Sequence, residues 1–320
     1  MKNFYKADQI ESAVYMEIVG GLANQMTCYA GARAIADRLD VPLKLDLSFY
    51  KSDFEGCTPR DFELDCLNVR YDLASPEELE VLSKARKRQI GRRRLLDDLI
   101  GTILQQKPLR CTYWNESKNN ESLRYNSIVD GFSTPLSINA HFASVQYYDM
   151  DSLRNDFEFK VSNDQRKGMA KVLSDVQSSK SVSLHIRRGD YASLATARSY
   201  HGLLGIEYFQ EAIAKAKELD PDVKFYVFSD DLDWVEDNLK CEDKLNMVSI
   251  DGPAYLEMYL MTQCWGNIIA NSGFSRWPAL LADTNDRLVI RPNRWNVADV
   301  MEDVDIAPSH WLAIDSHFES

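Results

Sequence analysis

The chain has 320 residues, enough for two domains of about 150 residues each. Its 45% hydrophobic and 27% charged content is that of an ordinary globular protein, and a formal net charge of -12 excludes general affinity for nucleic acid. The cysteines Cys28, Cys57, Cys66, Cys111, Cys241 and Cys264 form no Cys-x-x-Cys pair and no zinc-spaced cluster, no apolar run approaches the ~20 residues of a membrane span, and no secretory leader is visible. Reduced thiols and a cytoplasmic location are therefore expected.

In chain order, residues 13–19 read as a strand that runs straight into Gly20-Gly21-Leu22-Ala23-Asn24-Gln25-Met26. An Ala-rich helix is predicted over 29–39. Strand, glycine turn and helix are the first step of a doubly wound sheet, and a helix start offers free amides to an anion. The spacing is not the Gly-x-Gly-x-x-Gly of a dinucleotide fold. Asn24 and Gln25 carry amides that donate and accept, which suits phosphate or sugar hydroxyls; the alternative for Asn24 is a plain helix cap. Residues 41–47 read as the second strand, and 61–67 as strand or loop. Ser75-Pro76-Glu77-Glu78 has the chemistry of a helix start. Residues 84–94 hold Lys84, Arg86, Lys87, Arg88, Arg92, Arg93 and Arg94. This run is either a solvated helix face or a peripheral contact with an anionic membrane surface, at about 1 kcal/mol per basic residue. From 107 to 150 the chain is polar and aromatic, with Tyr113, Trp114, His141, Phe142, Tyr147 and Tyr148. Such rings suit a sugar face or an ordinary core. We place the domain boundary here, giving domains of 1–155 and 156–320.

In the second half a helix is predicted over 164–176, then a buried strand, Ser181-Val182-Ser183-Leu184-His185-Ile186, that stops at Arg187-Arg188-Gly189-Asp190. Two arginines past a strand end can clamp phosphate, and Gly189 would let the backbone approach a ligand; the alternative is a surface pair bonded to Asp190. An amphipathic helix follows over 208–219, then a strand over 224–228 ending in Ser229-Asp230-Asp231, then a helix over 232–239. Asp231-Leu232-Asp233 could hold a divalent cation, but it sits where caps and first-turn acids belong, and capping is the stronger reading. A helix apolar on nearly every side covers 255–263. A short strand over 267–270 ends in Asn271-Ser272-Gly273-Phe274-Ser275, followed by a helix to 281 and a last strand over 287–290. Three buried strands thus end in polar loops at one edge of one parallel sheet, where ligands bind in such folds. Arginine and serine suit a diphosphate, and a carboxylate such as Asp230 suits the N–H groups of guanine.

With these residues set out, the sequence resembles the α1,2-fucosyltransferases of glycosyltransferase family 11. Gly20 to Met26 is similar to the family's Gly-Gly-Leu-Gly-Asn-Gln-Met, and His185, Arg187, Arg188 and Asp190 meet its His-x-Arg-Arg-x-Asp. Phe142-Ala143-Ser144-Val145-Gln146-Tyr147-Tyr148 resembles Phe-Gln-Ser-x-x-Tyr-Phe, and the helix Tyr255 to Cys264 with Asn271-Ser272-x-Phe274-Ser275 resembles the last motif. The departures are Ala23 for glycine, Gly273 for threonine, and Arg276-Trp277-Pro278 for Trp-Trp-Gly.

The resemblance implies an α/β protein of two facing Rossmann-like domains, the GT-B architecture, working by inversion without metal or other cofactor. It implies transfer of L-fucose from GDP-fucose to the 2-hydroxyl of a galactose-terminated glycan, in bacterial surface glycan or O-antigen synthesis. GDP-colitose and related GDP-deoxyhexoses remain close alternatives as donor. Arg187 with Asn24 would meet the charge on the leaving phosphate. His185, Arg188, Ser229, Asp230, Asn271, Ser272, Phe274, Ser275, Gly21 and Gln25 would hold the GDP-sugar. Asp190 is the first candidate for general base, with Glu207 and His141 behind it; the alternative for Asp190 is that it orients Arg188. His141, Phe142, Tyr147 and Glu207 would line the acceptor. The competing readings are a metal-dependent transferase using Asp231 and Asp233, and a non-catalytic nucleotide-sugar-binding protein.

Overall fold

The computed structural model describes residues 10–51, 59–90, 111–116, 124–284, 286–297 and 305–319, with the side chains of 87–90, 190 and 196 outside that set. The chain divides into two compact units, Met1–Asp65 with Val69–Asp149, and Cys66–Asn68 with Met150–Ser320. Each unit is built on one parallel sheet, as two Rossmann-like domains require.

In the first unit, strands β1 (Val14–Glu17), β2 (Leu43–Asp46), β3 (Asp72–Leu73), β4 (Thr112–Asn115) and β5 (Leu136–Asn139) take the order β3-β2-β1-β5-β4. All four neighbouring pairs are parallel. Helix α1 (Leu22–Leu39) begins at the glycine turn itself, well before the predicted start at 29. Gly21 is its extended N-cap, and the N–H groups of Asn24 and Gln25 both donate to the Gly21 carbonyl at 2.9 and 3.0 Å. Asn24 therefore lies inside the first turn and does not cap the helix. Sequence periodicity missed this turn because α1 is buried on several sides, with Gln25, Met26, Thr27 and Cys28 in succession shielded from solvent.

At Gly31 the helix carries a notch. A Cβ there would lie 2.1 Å from the Phe142 ring, and Phe142 itself takes a left-handed backbone at φ 51°. The alternative between strand and loop at 61–67 resolves into a short 3-10 helix, Leu64–Cys66. Helix α2 (Pro76–Ile90) opens on the expected Ser75: the Glu78 N–H donates to Ser75 Oγ at 3.2 Å, and the Ser75 N–H to Glu78 Oε2 at 2.8 Å. Part of the basic run on α2 faces its own sheet. Arg86 donates to Ser137 Oγ at 2.9 Å and pairs with Glu17 and Asp46, while Lys84 pairs with Glu80. Arg86 is thus removed from any basic surface; Arg92, Arg93 and Arg94, and the side chains of Lys87 and Arg88, lie outside the described residues.

In the second unit, β6 (Ser181–Ile186), β7 (Lys224–Ser229), β8 (Leu245–Met247), β9 (Gly266–Ile268), β10 (Leu288–Pro292) and β11 (Leu312–Ile314) take the order β11-β10-β9-β6-β7-β8, again parallel throughout. The strand predicted at 287–290 is not the last, and β8 is a further addition; both extra strands have three residues, too short to show a period. Helix α3 (Met150–Asp156) belongs to this unit, so the division falls before it and not after 155. Arg154 fixes it there by donating to the carbonyls of Leu281 and Asp283 at 2.5 and 3.1 Å. The helix predicted over 164–176 is two, α4 (Asn163–Gly168) and α5 (Ala170–Gln177), broken at Met169, whose side chain drops into the core.

Helices α6 (Gly189–Ser193), α7 (Ala195–His201), α8 (Ile206–Leu219), α9 (Leu232–Asn238), α10 (Tyr255–Gln263) and α11 (Gly273–Ala282) complete the unit. Every residue of β6 is buried, and α8 adds Tyr208, Phe209, Ala212, Ile213 and Ala216 to the same core. At about 1.5–3 kcal/mol per fully buried apolar side chain, this layer makes the strand ends a rigid platform for the loops they carry.

Candidate active site

Loops leave the carboxyl ends of β6, β7 and β9 side by side, since Ile186 pairs with Ser229 and Leu184 with Ile268. One carboxylate ties the first two loops together. Asp230 Oδ2 is 2.6 Å from Arg187 Nη1, and Asp230 Oδ1 accepts the Arg188 N–H at 2.8 Å. Gly189 makes this closeness possible. Its φ is +20°, and a Cβ there would lie 2.4 Å from Asp230 Oδ2. The expectation of a close approach at Gly189 holds, but what approaches is the neighbouring carboxylate.

The two arginines do not form one clamp. Arg187 lies at the rim, with its guanidinium 5.6 Å from the Tyr191 ring centre. Arg188 is withdrawn, with a side chain only 12% exposed. Its guanidinium carbon stacks 3.6 Å from the Trp234 ring centre, and its Nη1 donates to Glu319 Oε1 at 3.0 Å. Its side chain is thus engaged largely by protein partners, while its buried Nε has no hydrogen-bond partner among the described residues. The side chain of Asp190 lies outside the described residues.

His185 is buried beneath this rim, its ring 5.5 Å from that of Phe274. Burial, reinforced by the charge of Arg187, pushes its pKa down to about 3, so the imidazole is neutral under all working conditions. Its Nδ1 is buried and has no hydrogen-bond partner among the described residues, the kind of atom a bound ligand would satisfy. Ser229 Oγ accepts the Asp231 N–H at 3.0 Å. Asp231 caps α9 by accepting the Trp234 N–H at 3.2 Å, and Asp233 sits in the first turn, which is the capping geometry. Ser272 caps α11 by accepting the Phe274 N–H at 3.3 Å.

Two expected donor contacts are interior. Asn271, 2% exposed, donates to the carbonyls of His201, Gly202 and Trp295, and Ser275, 1% exposed, accepts the Ala270 N–H at 3.2 Å. They shape the β9 loop from behind. The departure Arg276 is also buried and donates to the Ile306 carbonyl at 2.5 Å.

A further carboxyl at this edge escaped the sequence reading. Glu257, in the first turn of α10, is pushed up to about 7 by burial and by the charge of Asp230. Glu207 is exposed at the start of α8 and lines a cavity of about 660 Å³ with Arg198, Gly205, His317, Phe318 and Glu319.

In the first unit, Asn24 is exposed, and Gly20, at φ +73°, leaves room for its amide: a Cβ there would lie 2.6 Å from Asn24 Nδ2. Gly21 is half-buried. Gln25 is wholly buried, donating to the carbonyls of Gly20 and Asp61 at 2.9 and 2.7 Å and accepting the Glu63 N–H at 2.8 Å. It is an internal brace, which corrects its assignment to the ligand. Phe142 is likewise buried, in the Gly31 notch, and Tyr147 is nearly so, with its hydroxyl donating to the Arg124 carbonyl at 3.2 Å. Neither ring is placed to meet an acceptor. His141 is exposed, and its N–H donates to Glu116 Oε2 at 2.6 Å. The Glu116 carboxyl is raised by burial.

Two parallel α/β units in one chain define a Rossmann-type protein, and arginine, carboxylate and a serine-capped helix stand at the strand ends of the second. Comparison with known proteins carries this further. Residues 103–315 match the profile of Glycosyl transferase family 11. An O-antigen biosynthesis glycosyltransferase, WbnK, of Escherichia coli is 30% identical over 298 residues, covering 88% of this chain and 94% of the relative. An alpha-1,2-colitosyltransferase of Escherichia coli is 30% identical over 316 residues, covering 95% and 99%. Among solved structures, the fucosyltransferase NodZ from Bradyrhizobium aligns with TM-score 0.48 and 14% identity over 85% of this chain and 94% of that one. The chain belongs to glycosyltransferase family 11, and its chemistry is glycosyl transfer. Among the described residues no helix is long and apolar enough to cross a membrane.

Proposed function

We propose that this glycosyltransferase transfers L-fucose from GDP-fucose to the 2-hydroxyl of a terminal galactoside, with inversion and without a metal, in surface glycan or O-antigen assembly. The observation that carries the reading is Arg187, held at the strand ends by a 2.6 Å bond to Asp230 in a chain of this family. As the acceptor oxygen bonds to the anomeric carbon, the bond from that carbon to the β-phosphate oxygen breaks, and its electron pair leaves with GDP. The acceptor proton passes to a general base, for which Asp190 is the first candidate, then Glu207 and His141. A fixed guanidinium aimed at the departing oxygen stabilises the charge without reorganising. Asn24, exposed in the first turn of α1 beside Gly20, is proposed as a further hydrogen-bond donor to substrate. Neutral His185 supplies a hydrogen-bonding edge to the nucleotide, and Phe274 its apolar flank. That Asp231 is engaged as a helix cap supports the metal-free reading.

A second donor is favoured by one specific observation: the relative described as an alpha-1,2-colitosyltransferase is 30% identical over 95% of this chain. One experiment separates the two. The enzyme is incubated in excess EDTA with GDP-fucose or GDP-colitose and a panel of galactose-terminated disaccharides, and products are identified by NMR. Fucose on the galactose 2-hydroxyl is expected. Exclusive colitose transfer would replace the donor, and activity abolished by EDTA and restored by a divalent cation would overturn the metal-free mechanism.

A further inference from the structure

We propose that Trp234 and Glu319 are positioning residues that lock Arg188, and that through this lock they set the affinity for the nucleotide-sugar. The inference rests on Arg187 being the group that meets the donor phosphate. Arg188 is gripped on two sides, by the Trp234 ring at 3.6 Å and Glu319 Oε1 at 3.0 Å, with the Asp231 carboxylate farther off, 3.9 Å from its Nε and not hydrogen-bonded to it. Stacking together with a charge-assisted bond is the strongest hold a guanidinium can have short of a bidentate pair.

Glu319 is itself anchored. The Gly205 N–H donates to the His317 carbonyl and the Glu319 N–H to the Leu203 carbonyl, both at 2.8 Å, and Leu204 bridges Phe318 in antiparallel fashion. Phe318 fills the space beside Gly202, where a Cβ would lie 2.7 Å from its ring, and Arg198 approaches the second oxygen of Glu319 at 3.6 Å. Residues 317–319 thus form a strap that presents a carboxylate at a fixed point.

The lock transmits along the backbone. Fixing the Arg188 side chain fixes its N–H, which fixes Asp230 Oδ1 at 2.8 Å; the other oxygen of Asp230 holds Arg187 at 2.6 Å. Gly189 is pressed against that same oxygen, leaving the turn little room to reorganise. Arg187 is therefore aimed by its own bond to Asp230, whose position is in turn set through the Arg188 N–H.

The test uses the full chain, with GDP binding by calorimetry and separate donor and acceptor KM values. Glu319→Gln and Trp234→Leu are each expected to raise the donor KM and the Kd for GDP about tenfold, the loss of one charge-assisted contact, while leaving the acceptor KM within twofold. In an Arg188→Ala background, Glu319→Gln should add less than a further twofold, because it acts through Arg188. If Glu319→Gln does not fold, Trp234→Leu in the same background decides. Effects that multiply in the double variant, or equal losses in donor and acceptor KM, would overturn the proposal. So would tighter GDP binding by Glu319→Gln, which would make Glu319 a competitor of phosphate. Arg187→Ala is the control: if it binds GDP like the wild type, the reading of the site fails. If it loses binding while Glu319→Gln does not, only the lock fails.

Discussion

Glu257 makes stability depend on pH in a window that can be worked out in advance. Its carboxyl is pushed from the ordinary 4.5 to about 7 by burial and by the charge of Asp230. Below pH 4.5 the group is protonated in both folded and unfolded chains. Between 4.5 and 7 the folded chain holds the proton more tightly, so stability falls as pH rises. Above 7 the folded chain carries a charge that its surroundings disfavour. The difference between the two pKa values corresponds to about 3 kcal/mol between the acidic and alkaline limits.

Glu257→Gln keeps the shape and hydrogen-bonding capacity of the protonated form and cannot ionise. It should match the wild type near pH 4.5 and exceed it at pH 8, with a melting midpoint higher on the order of 5 °C. The assay is thermal unfolding of both proteins at pH 5, 6, 7 and 8, taking the difference so that other titrating groups cancel. Parallel curves, or a variant less stable at every pH, would refute the reasoning. An Asp230→Asn variant should narrow the same window from above, since it removes the second cause of the shift.

Three further outcomes follow from the geometry. Arg187→Ala should lower kcat about 100- to 1,000-fold in the GDP-fucose assay, the usual effect of removing one preorganised donor to a developing charge; near-normal turnover would remove Arg187 from the chemistry. Gln25→Ala should destabilise the first unit by about 2 kcal/mol in urea titrations, because it strands the Glu63 N–H and the Asp61 carbonyl, while the Gly20 carbonyl keeps the Tyr50 hydroxyl at 2.8 Å; a change under about 0.5 kcal/mol would show that water replaces the brace. The His185 ring should show no protonation step between pH 5 and 8 by NMR, since its pKa lies near 3, and any pH dependence of the rate there must come from other groups.

Strand β6 was legible because six consecutive shielded residues contrast sharply with Arg187, Arg188 and Gly189. The strand-end loops were legible for the same reason, and so were the caps at Ser75 and Asp231, where local chemistry decides structure. What could not be read was anything fixed by partners far along the chain. Arg188 and Glu319 are 131 residues apart, and no local pattern says that they meet. Gln25 and Asn271 look like ligand groups in sequence because amides serve ligands and backbone equally well; only their burial separates the two uses. The early start of α1 was hidden because helix periodicity reports a buried face, and α1 is shielded on several sides.

The notch at Gly31 has a consequence for protein engineering. Since the Phe142 ring occupies the volume that any side chain at position 31 would need, helix α1 and the 140–148 loop are a matched lock and key. A chimera that carries this loop, with Phe142, onto a relative's helix that lacks the notch would jam, and so would Gly31→Ala alone. Shrinking the ring in the same step, as in Gly31→Ala with Phe142→Leu, is the route by which this joint can be rebuilt.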